Sequence, residues 1–212
     1  FMQITRRQTL SLLTATTGMS MLPETSQAVE PAKSASFVPC LNMSTIRGQK
    51  LGYVKELETA SKAGFRSVEI WMDTLQEFIK NGNTPTQARK VAADFGIKLE
   101  NAIGFAAWIV DDESARAKGV DQLKREMELL AEVGCMRVAT PPVGAQAPQA
   151  PRIDLQKAAE RYRTVLEISD QTKVIPQLEL WGFSKNLNKL SEVMYVAVES
   201  GHPSARLLLD VY

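Results

Sequence analysis

The chain has 212 residues, of which 44% are hydrophobic and 23% are charged, and its formal net charge at pH 7 is +1. This balance is typical of a single globular domain. Because the chain has no basic surplus, we expect neither nucleic acid nor an anionic membrane surface as a partner.

The N-terminal segment has the composition of an export signal. Arg6 and Arg7 precede a mildly apolar stretch from Leu10 to Leu22. This stretch is too short and too rich in Thr and Ser for stable membrane insertion. Paired arginines before such a stretch are typical of twin-arginine signals, although a frayed amphipathic N-terminus is an alternative. We predict a signal peptide over residues 1–28, a linker over residues 29–35, and an exported, periplasmic protein.

From residue 36 onward the chain repeats a helical stretch, a glycine or polar turn, and a short apolar run. The apolar runs are FVPCLN, FRSVEIW, IKLENAI, CMRVATPP, VIPQLELW and HPSARLLLDVY. Glycine adopts the left-handed conformation of a helix end at little cost, and four helical stretches end at Gly64, Gly96, Gly134 and Gly201. Six short strands separated by five helices predict a parallel α/β sheet. A doubly wound open sheet and a (β/α)8 barrel both fit this count.

Polar side chains near the ends of the predicted strands favour the barrel. Alternation places Glu179 and Trp181 on one face of their strand, and Glu69 and Trp71 on one face of another. In a barrel this face forms the mouth, where catalytic groups lie. The segment NMSTIRGQ after the first strand is not the glycine-rich phosphate loop of an open sheet. We therefore predict a TIM barrel over residues 36–212, with about six of its eight strands in this chain, as the front of a longer protein.

Glu179 stands in the middle of the apolar run VIPQLELWGF. Burying an ionised carboxylate without compensation costs several kcal/mol, so its charge requires an explanation.

Five motifs supply that explanation through a resemblance: LNMSTIRG, VEIW, NAIGFAAWIVDD, QLELWGFSKN and SGHPSARLLLDVY. Each falls at a predicted strand end. Together they resemble the sugar phosphate isomerase/epimerase family of xylose-isomerase-like barrels, and within it the 2-keto-myo-inositol isomerase and hydroxypyruvate isomerase types. The resemblance runs from about residue 37 to residue 212.

The resemblance implies one divalent metal ion at the mouth of the barrel. Glu179 and Asp210 match the family's ligands from the fifth and sixth strands, and the remaining ligands are expected beyond Tyr212. A cation would neutralise Glu179, which the resemblance also makes a catalytic acid or base. A site of carboxylates and imidazole suits Mn²⁺, Co²⁺, Mg²⁺ or Zn²⁺.

The implied activity is isomerisation or epimerisation of a keto sugar, a cyclitol ketone or a small hydroxy-keto acid. The reaction would remove a proton next to a carbonyl and stabilise the resulting enediolate with the metal ion. One alternative is a lyase or hydrolase that acts on keto-glycosides with the same site. Another is a metal-free barrel that only binds carbohydrate, and a homo-oligomer is compatible with all three.

Several further residues are candidates for contact with a small-molecule substrate. Phe105, Trp108 and Trp181 are expected to wall the pocket, although tryptophans are also common core residues. Glu69 is expected either to contact substrate hydroxyls or to pair with an arginine such as Arg137. Asn42 is expected to contact substrate or to hydrogen-bond backbone at the mouth.

Other polar residues have a structural interpretation. Asp111 and Asp112 are expected to start a helix. His202 lies at the entrance to the last strand, opposite the mouth, and is expected to be structural. Cys40 and Cys135 are expected to be buried free thiols.

Overall fold

The computed structural model describes residues 37–211. The predicted signal peptide and linker lie outside these residues, so export stays a prediction that N-terminal sequencing of the mature protein would test. Within the described part of the chain, no helix is long and apolar enough to cross a membrane.

Six strands form one parallel sheet in which every strand pairs with its neighbours in the sequence. They are β1 (Cys40–Asn42), β2 (Ser67–Trp71), β3 (Lys98–Ile103), β4 (Arg137–Thr140), β5 (Ile175–Leu180) and β6 (Arg206–Leu209). A doubly wound sheet would change direction at a switch point, whereas this order is that of a (β/α)8 barrel. The predicted fold is confirmed as a half-barrel of six strands.

Six α-helices connect the strands, one more than the sequence predicted. They are α1 (Tyr53–Lys62), α2 (Met72–Lys80), α3 (Pro85–Asp94), α4 (Glu113–Val133), α5 (Leu155–Thr172) and α6 (Leu190–Glu199), and a 3-10 helix (Met43–Gln49) follows β1. Helix α2 was not predicted because it follows β2 directly, without a side-chain cap or a turn residue to mark its start. The buried pair Met72 and Leu75, three residues apart, was the signal available for it.

Three helix boundaries show how residue types fix where a helix begins or ends. Thr84 forms a capping box with Gln87, and Pro85 is the first residue of α3. Asp154 caps α5 by accepting a hydrogen bond of 3.0 Å from the amide of Lys157. Gly134 ends α4 at a φ of 84°, a conformation that strains residues with a side chain.

The hydrophobic core lies between the sheet and the helices. Side chains at alternate strand positions face it, including Val68, Ile70 and Leu178. The largest fully buried non-aromatic side chains belong to Met43, Leu57, Ile70, Leu75, Ile109, Leu123, Met127, Leu130, Leu166 and Leu178. Because the apolar residues occupy this outer face, the intervening strand residues point into the lumen.

The two cysteines differ from the prediction in one respect. Both are free thiols, as predicted, and Cys135 is buried. Cys40 is exposed, so the expectation that it is buried was wrong. Its strand β1 has a neighbour on only one side among the described residues, which leaves this position open to solvent.

One carboxylate in the core region provides a test of the packing. Glu126 on α4 is only 3% exposed, and burial raises its pKa. Its Oε1 accepts a hydrogen bond of 2.8 Å from Gln122, whereas Oε2 is buried with no hydrogen-bond partner among the described residues. Ionising this group inside the fold is therefore unfavourable.

We expect Glu126→Gln to stabilise the protein relative to the native chain by an amount that grows as the pH rises above the ordinary range of a glutamate pKa. A folded-state pKa above the unfolded one means that stability is lost as pH rises through the folded pKa, and glutamine removes this loss. Urea denaturation at several pH values measures the difference. Glu128→Gln, on the exposed face of the same helix, is the control, and a pH-independent difference for Glu126→Gln would contradict the assignment.

Candidate active site

Carboxylates from three strands face the lumen near the carboxyl end of the sheet. Glu69 on β2 and Glu179 on β5 occupy inward positions, and Asp210 directly follows β6. Asp210 raises the pKa of both glutamates, and Glu69 raises that of Glu179, so the three groups interact electrostatically. The structure therefore brings together the two predicted metal ligands and Glu69.

Glu69 is held from both sides by asparagine side chains. Asn42 Nδ2 donates to Glu69 Oε2 at 2.5 Å, and Asn101 Nδ2 donates to Glu69 Oε1 at 2.6 Å. Burial raises the pKa of Glu69, while the Asn101 hydrogen bond lowers it. The carboxylate is thus fixed in orientation by one neighbour on each adjacent strand.

A β-bulge places Asn101 beside Glu69. The pairing register of β2 and β3 shifts between Val68 and Glu69, so that Glu69 pairs with Asn101. Glu100 also faces the lumen, where its Oε1 lies 3.3 Å from Ser67 Oγ. Adjacent residues of a regular strand would point to opposite faces, so the bulge brings one more polar side chain inward.

The alternative partner suggested for Glu69 is not used. Arg137 Nη1 lies 3.1 Å from Glu100 Oε2, at the opposite end of the lumen, and Lys98 joins the same carboxylate at 2.7 Å. The suggested pair of Glu69 and Arg137 was therefore wrong, because the bulge supplies Glu100 as a nearer acid.

Asn42 combines two structural roles. Its Oδ1 accepts hydrogen bonds from the amide of Ser44 at 2.8 Å and from Trp71 Nε1 at 3.4 Å. Its Nδ2 donates to Glu69, so both the oxygen and the nitrogen of the Asn42 side-chain amide are hydrogen-bonded. Asn42 therefore caps the 3-10 helix and orients Glu69, and substrate contact by this residue stays a prediction.

Glu179 is the most strongly perturbed carboxylate of the site. It is 6% exposed, and its pKa is raised to about 7, chiefly by burial and also by the charges of Glu69 and Asp210, while the Trp181 side chain acts to lower it. Its Oε2 is buried and has no hydrogen-bond partner in the part of the chain that the structure describes. A cation or a donating hydroxyl at this oxygen would relieve both the repulsion and the missing contact.

The described residues contribute only part of a metal site. Among residues 37–211, no group of three or more His, Cys, Asp and Glu side chains could hold a metal ion. Glu179 and Asp210 nevertheless fit the chemistry of a cation site, because they are interacting carboxylates and Glu179 Oε2 is available to a ligand.

Four aromatic rings form a row across the mouth, which we call the aromatic platform. The centroids of Trp71 and Phe105 are 5.1 Å apart, those of Phe105 and Trp181 6.4 Å, and those of Trp181 and Phe183 5.1 Å. The Arg47 guanidinium lies 3.9 Å from the centre of the Trp71 ring. The sequence had singled out Phe105 and Trp181 but not Phe183 or Arg47, which lie in segments where no periodicity marks direction.

Trp108 does not belong to this row. It is fully buried, its ring lies 5.8 Å from that of Tyr162, and its Nε1 donates to the carbonyl of Pro141 at 2.9 Å. The predicted role of Trp108 in the pocket wall was therefore wrong. The chain turns outward after Phe105, so the two aromatic residues point to opposite sides of the sheet.

The remaining candidates have local structural roles. Asp112 caps α4 through the amide of Ala115 at 2.7 Å, and Asp111 pairs with Arg161 at 2.8 Å. His202 Nε2 lies 3.4 Å from Asp170 Oδ2, before the first residue of β6. The predicted position of His202 at the end opposite the mouth is confirmed.

With this geometry in place, comparison with known proteins identifies the family. Residues 57–212 match the sequence model of the xylose isomerase-like TIM barrel. The chain belongs to this family.

Individual relatives are distant. A 3-dehydroshikimate dehydratase of Pseudomonas putida is 23% identical over 164 residues, which is 74% of this chain and 24% of that protein. The 3-keto-D-glucoside 4-epimerase YcjR from E. coli superposes with a TM-score of 0.64 at 22% identity, over 76% of this chain and 64% of YcjR. The IolI protein, whose crystal structure contains a zinc atom, superposes with a TM-score of 0.67 at 19% identity, over 79% of this chain and 60% of IolI. The chain thus spans less than two thirds of the length of each of these relatives.

We expect Trp108→Phe to destabilise the protein by about 1–3 kcal/mol, because it leaves the buried carbonyl of Pro141 without its donor. Urea denaturation measures the loss. Trp71→Phe is the matched control, since its indole makes a long contact of 3.4 Å with Asn42 and its ring is partly exposed. Equal effects of the two substitutions would show that the Trp108 hydrogen bond does not anchor its loop.

Proposed function

We propose that this chain forms the carboxylate-bearing part of an enzyme that removes a proton next to a carbonyl group. The proposed reaction is isomerisation or epimerisation of a keto sugar, a cyclitol ketone or a small hydroxy-keto acid. The observation that supports it most is the buried Glu179, one oxygen of which finds no partner among the described residues, facing Glu69 and Asp210 in the lumen of a xylose isomerase-like barrel.

Glu179 and Asp210 are the proposed ligands of a divalent cation, for which Mn²⁺, Co²⁺, Mg²⁺ and Zn²⁺ are candidates. When bound, the cation supplies positive charge that stabilises the negative oxygen formed when the proton leaves. The pKa of Glu179 is raised by burial and by its two acidic neighbours, and a positive charge at this place would offset that repulsion.

Proton transfer, substrate binding and the exclusion of water are proposed roles of this chain's own side chains. Glu179 removes the proton as one member of an acid–base pair: in an isomerisation it can return the proton itself, whereas an epimerisation needs a second acid on the opposite face of the substrate. The side chain of Trp181 lies close enough to this carboxylate to lower its pKa. Glu69, held by two amide donors, is oriented to accept hydrogen bonds from substrate hydroxyls. Phe105 and Trp181 cover the site and exclude water, which strengthens the electrostatic interactions inside it.

A lyase or hydrolase reaction is the second candidate. One relative is named a dehydratase and another is named an epimerase of a keto-glucoside. Elimination and epimerisation can share a first step, the loss of a proton next to a carbonyl, and differ in the later steps.

Product analysis distinguishes the two candidates. We expect the whole protein to convert keto sugars into isomers of unchanged mass, and a chelator to abolish the conversion. Loss of water or of a glycosidic substituent from the same substrates, detected by mass spectrometry, would assign the lyase or hydrolase reaction instead. Turnover that persists after thorough chelation would contradict the metal assignment.

We expect Glu179→Gln to lower kcat by at least about 10²-fold while the protein stays folded, because glutamine keeps the shape of the side chain but cannot accept the proton. Turnover assays and thermal unfolding measure the two effects. Glu100→Gln is the matched control, since Glu100 lies in the same lumen but pairs with Lys98 and Arg137 at the far end. Retained turnover in Glu179→Gln would remove Glu179 from the reaction.

A further inference from the structure

The loop that carries Phe105 is fixed by contacts on its outer side. Trp108 donates from the core to the carbonyl of Pro141, and Arg161 Nη1 donates to the carbonyl of Ile109 at 2.5 Å. The backbone of Ala107 packs so closely on α4 that a Cβ at Gly119 would lie 2.6 Å from it. Phe105 therefore sits on a rigid segment.

The loop that carries Phe183 is fixed in a similar way. Asn186 is buried, and its Nδ2 donates to the carbonyls of Ala145 at 2.8 Å and Pro151 at 3.0 Å. Its Oδ1 accepts a hydrogen bond of 2.9 Å from the amide of Ile153. One side chain thus ties the loop after β5 to the loop after β4.

These anchors hold two phenyl rings out in water. Phe105 is 41% exposed and Phe183 is 58% exposed. Exposed apolar surface is unfavourable by about 25 cal/mol per Å², and flexible loops would fold such rings inward. Contiguous apolar surface on a rigid support is typical of a binding site, because the site needs little ordering when the ligand arrives.

The platform also lies directly beside the carboxylates. At one end Trp71 contacts Asn42, which holds Glu69, and further along Trp181 lies close enough to Glu179 to lower the pKa of its carboxyl group. Arg47 already covers one face of Trp71, so the exposed end of the platform is the part that runs from Phe105 through Trp181 to Phe183. A molecule with its carbonyl near Glu179 would lay its opposite side on the rings of Phe105 and Phe183.

We propose that the exposed end of the aromatic platform binds an apolar ring attached to the substrate. This inference rests on the proposed function and names its substrate class: keto sugars and their glycosides that carry an aryl group. Aromatic rings pair favourably at centroid distances of about 4.5–7 Å, and the sugar itself, with its many hydroxyl groups, gains less from such a surface.

Binding can be measured without turnover, because Trp71 and Trp181 belong to the platform and report a bound ring by fluorescence. The probes are phenyl β-D-glucoside and methyl β-D-glucoside, which differ only in the attached group. We expect the phenyl compound to bind the whole protein about tenfold more tightly. Equal Kd values for the two, or no quenching by either, would overturn the proposal.

Substitutions locate the effect on the platform. We expect Phe105→Ala and Phe183→Ala each to reduce the phenyl preference, the double substitution to abolish it, and Phe183→Tyr to retain it. Met194→Ala is the control, because Met194 is 46% exposed on α6 and is not part of the platform. Circular dichroism verifies folding, and a preference that persists in the folded double variant contradicts the proposal.

Glu179→Gln separates this inference from the proposed reaction. We expect this variant to lose turnover and to keep the phenyl preference, since the two properties depend on different side chains. Lost preference in a folded Glu179→Gln variant would place the ring elsewhere in the site and overturn the platform assignment. Unchanged turnover with the preference intact would count against the reaction alone.

Discussion

Repulsion among carboxylates in the lumen is the interaction on which the candidate site depends. Glu69 and Glu179 lie on two strands and Asp210 directly follows a third, yet their positions direct all three side chains into one space. Burial raises the pKa of both glutamates, and the negative charge of Asp210 adds to the effect. Such an arrangement is unfavourable by itself and becomes favourable when positive charge or hydrogen-bond donors enter it.

The negative charges of Glu69 and Glu179 are compensated to different extents by their neighbours. Glu69 receives two amide donors, one of which reaches it only because a bulge turns Asn101 inward. Glu179 receives a contact from Trp181, but its Oε2 finds no partner within residues 37–211. The first carboxylate is therefore already satisfied and oriented, and the second is prepared to bind something. This difference supports separate roles for them in the proposed reaction, with Glu69 holding the substrate and Glu179 moving the proton.

Each of two loops at the mouth carries one buried residue that fixes the loop and one exposed aromatic residue that is available to a ligand. In the segment after β3, Phe105 faces the mouth, whereas Trp108, three residues later, enters the core beside Tyr162. After β5, Phe183 is exposed while Asn186 is buried among backbone carbonyls. In both loops a buried side chain with directional hydrogen bonds makes an exposed aromatic side chain rigid. The stability of the core and the shape of the mouth are therefore linked through these two segments.

The sequence by itself determined the order of strands and helices, the caps at Thr84 and Asp154, and the inward direction of Glu69 and Glu179. These features depend on periodicity and local backbone preferences, which act over a few residues and are visible in the printed chain. Helix α2, the directions of Trp108 and Phe183, and the pairing of Arg137 with Glu100 were decided only by the tertiary structure. Each depends on which distant segments meet after folding: a register shift between two strands, or the contact of one loop with the next. Such contacts between distant segments are set by the packing of the whole sheet against its helices, and no local pattern of residue types encodes them.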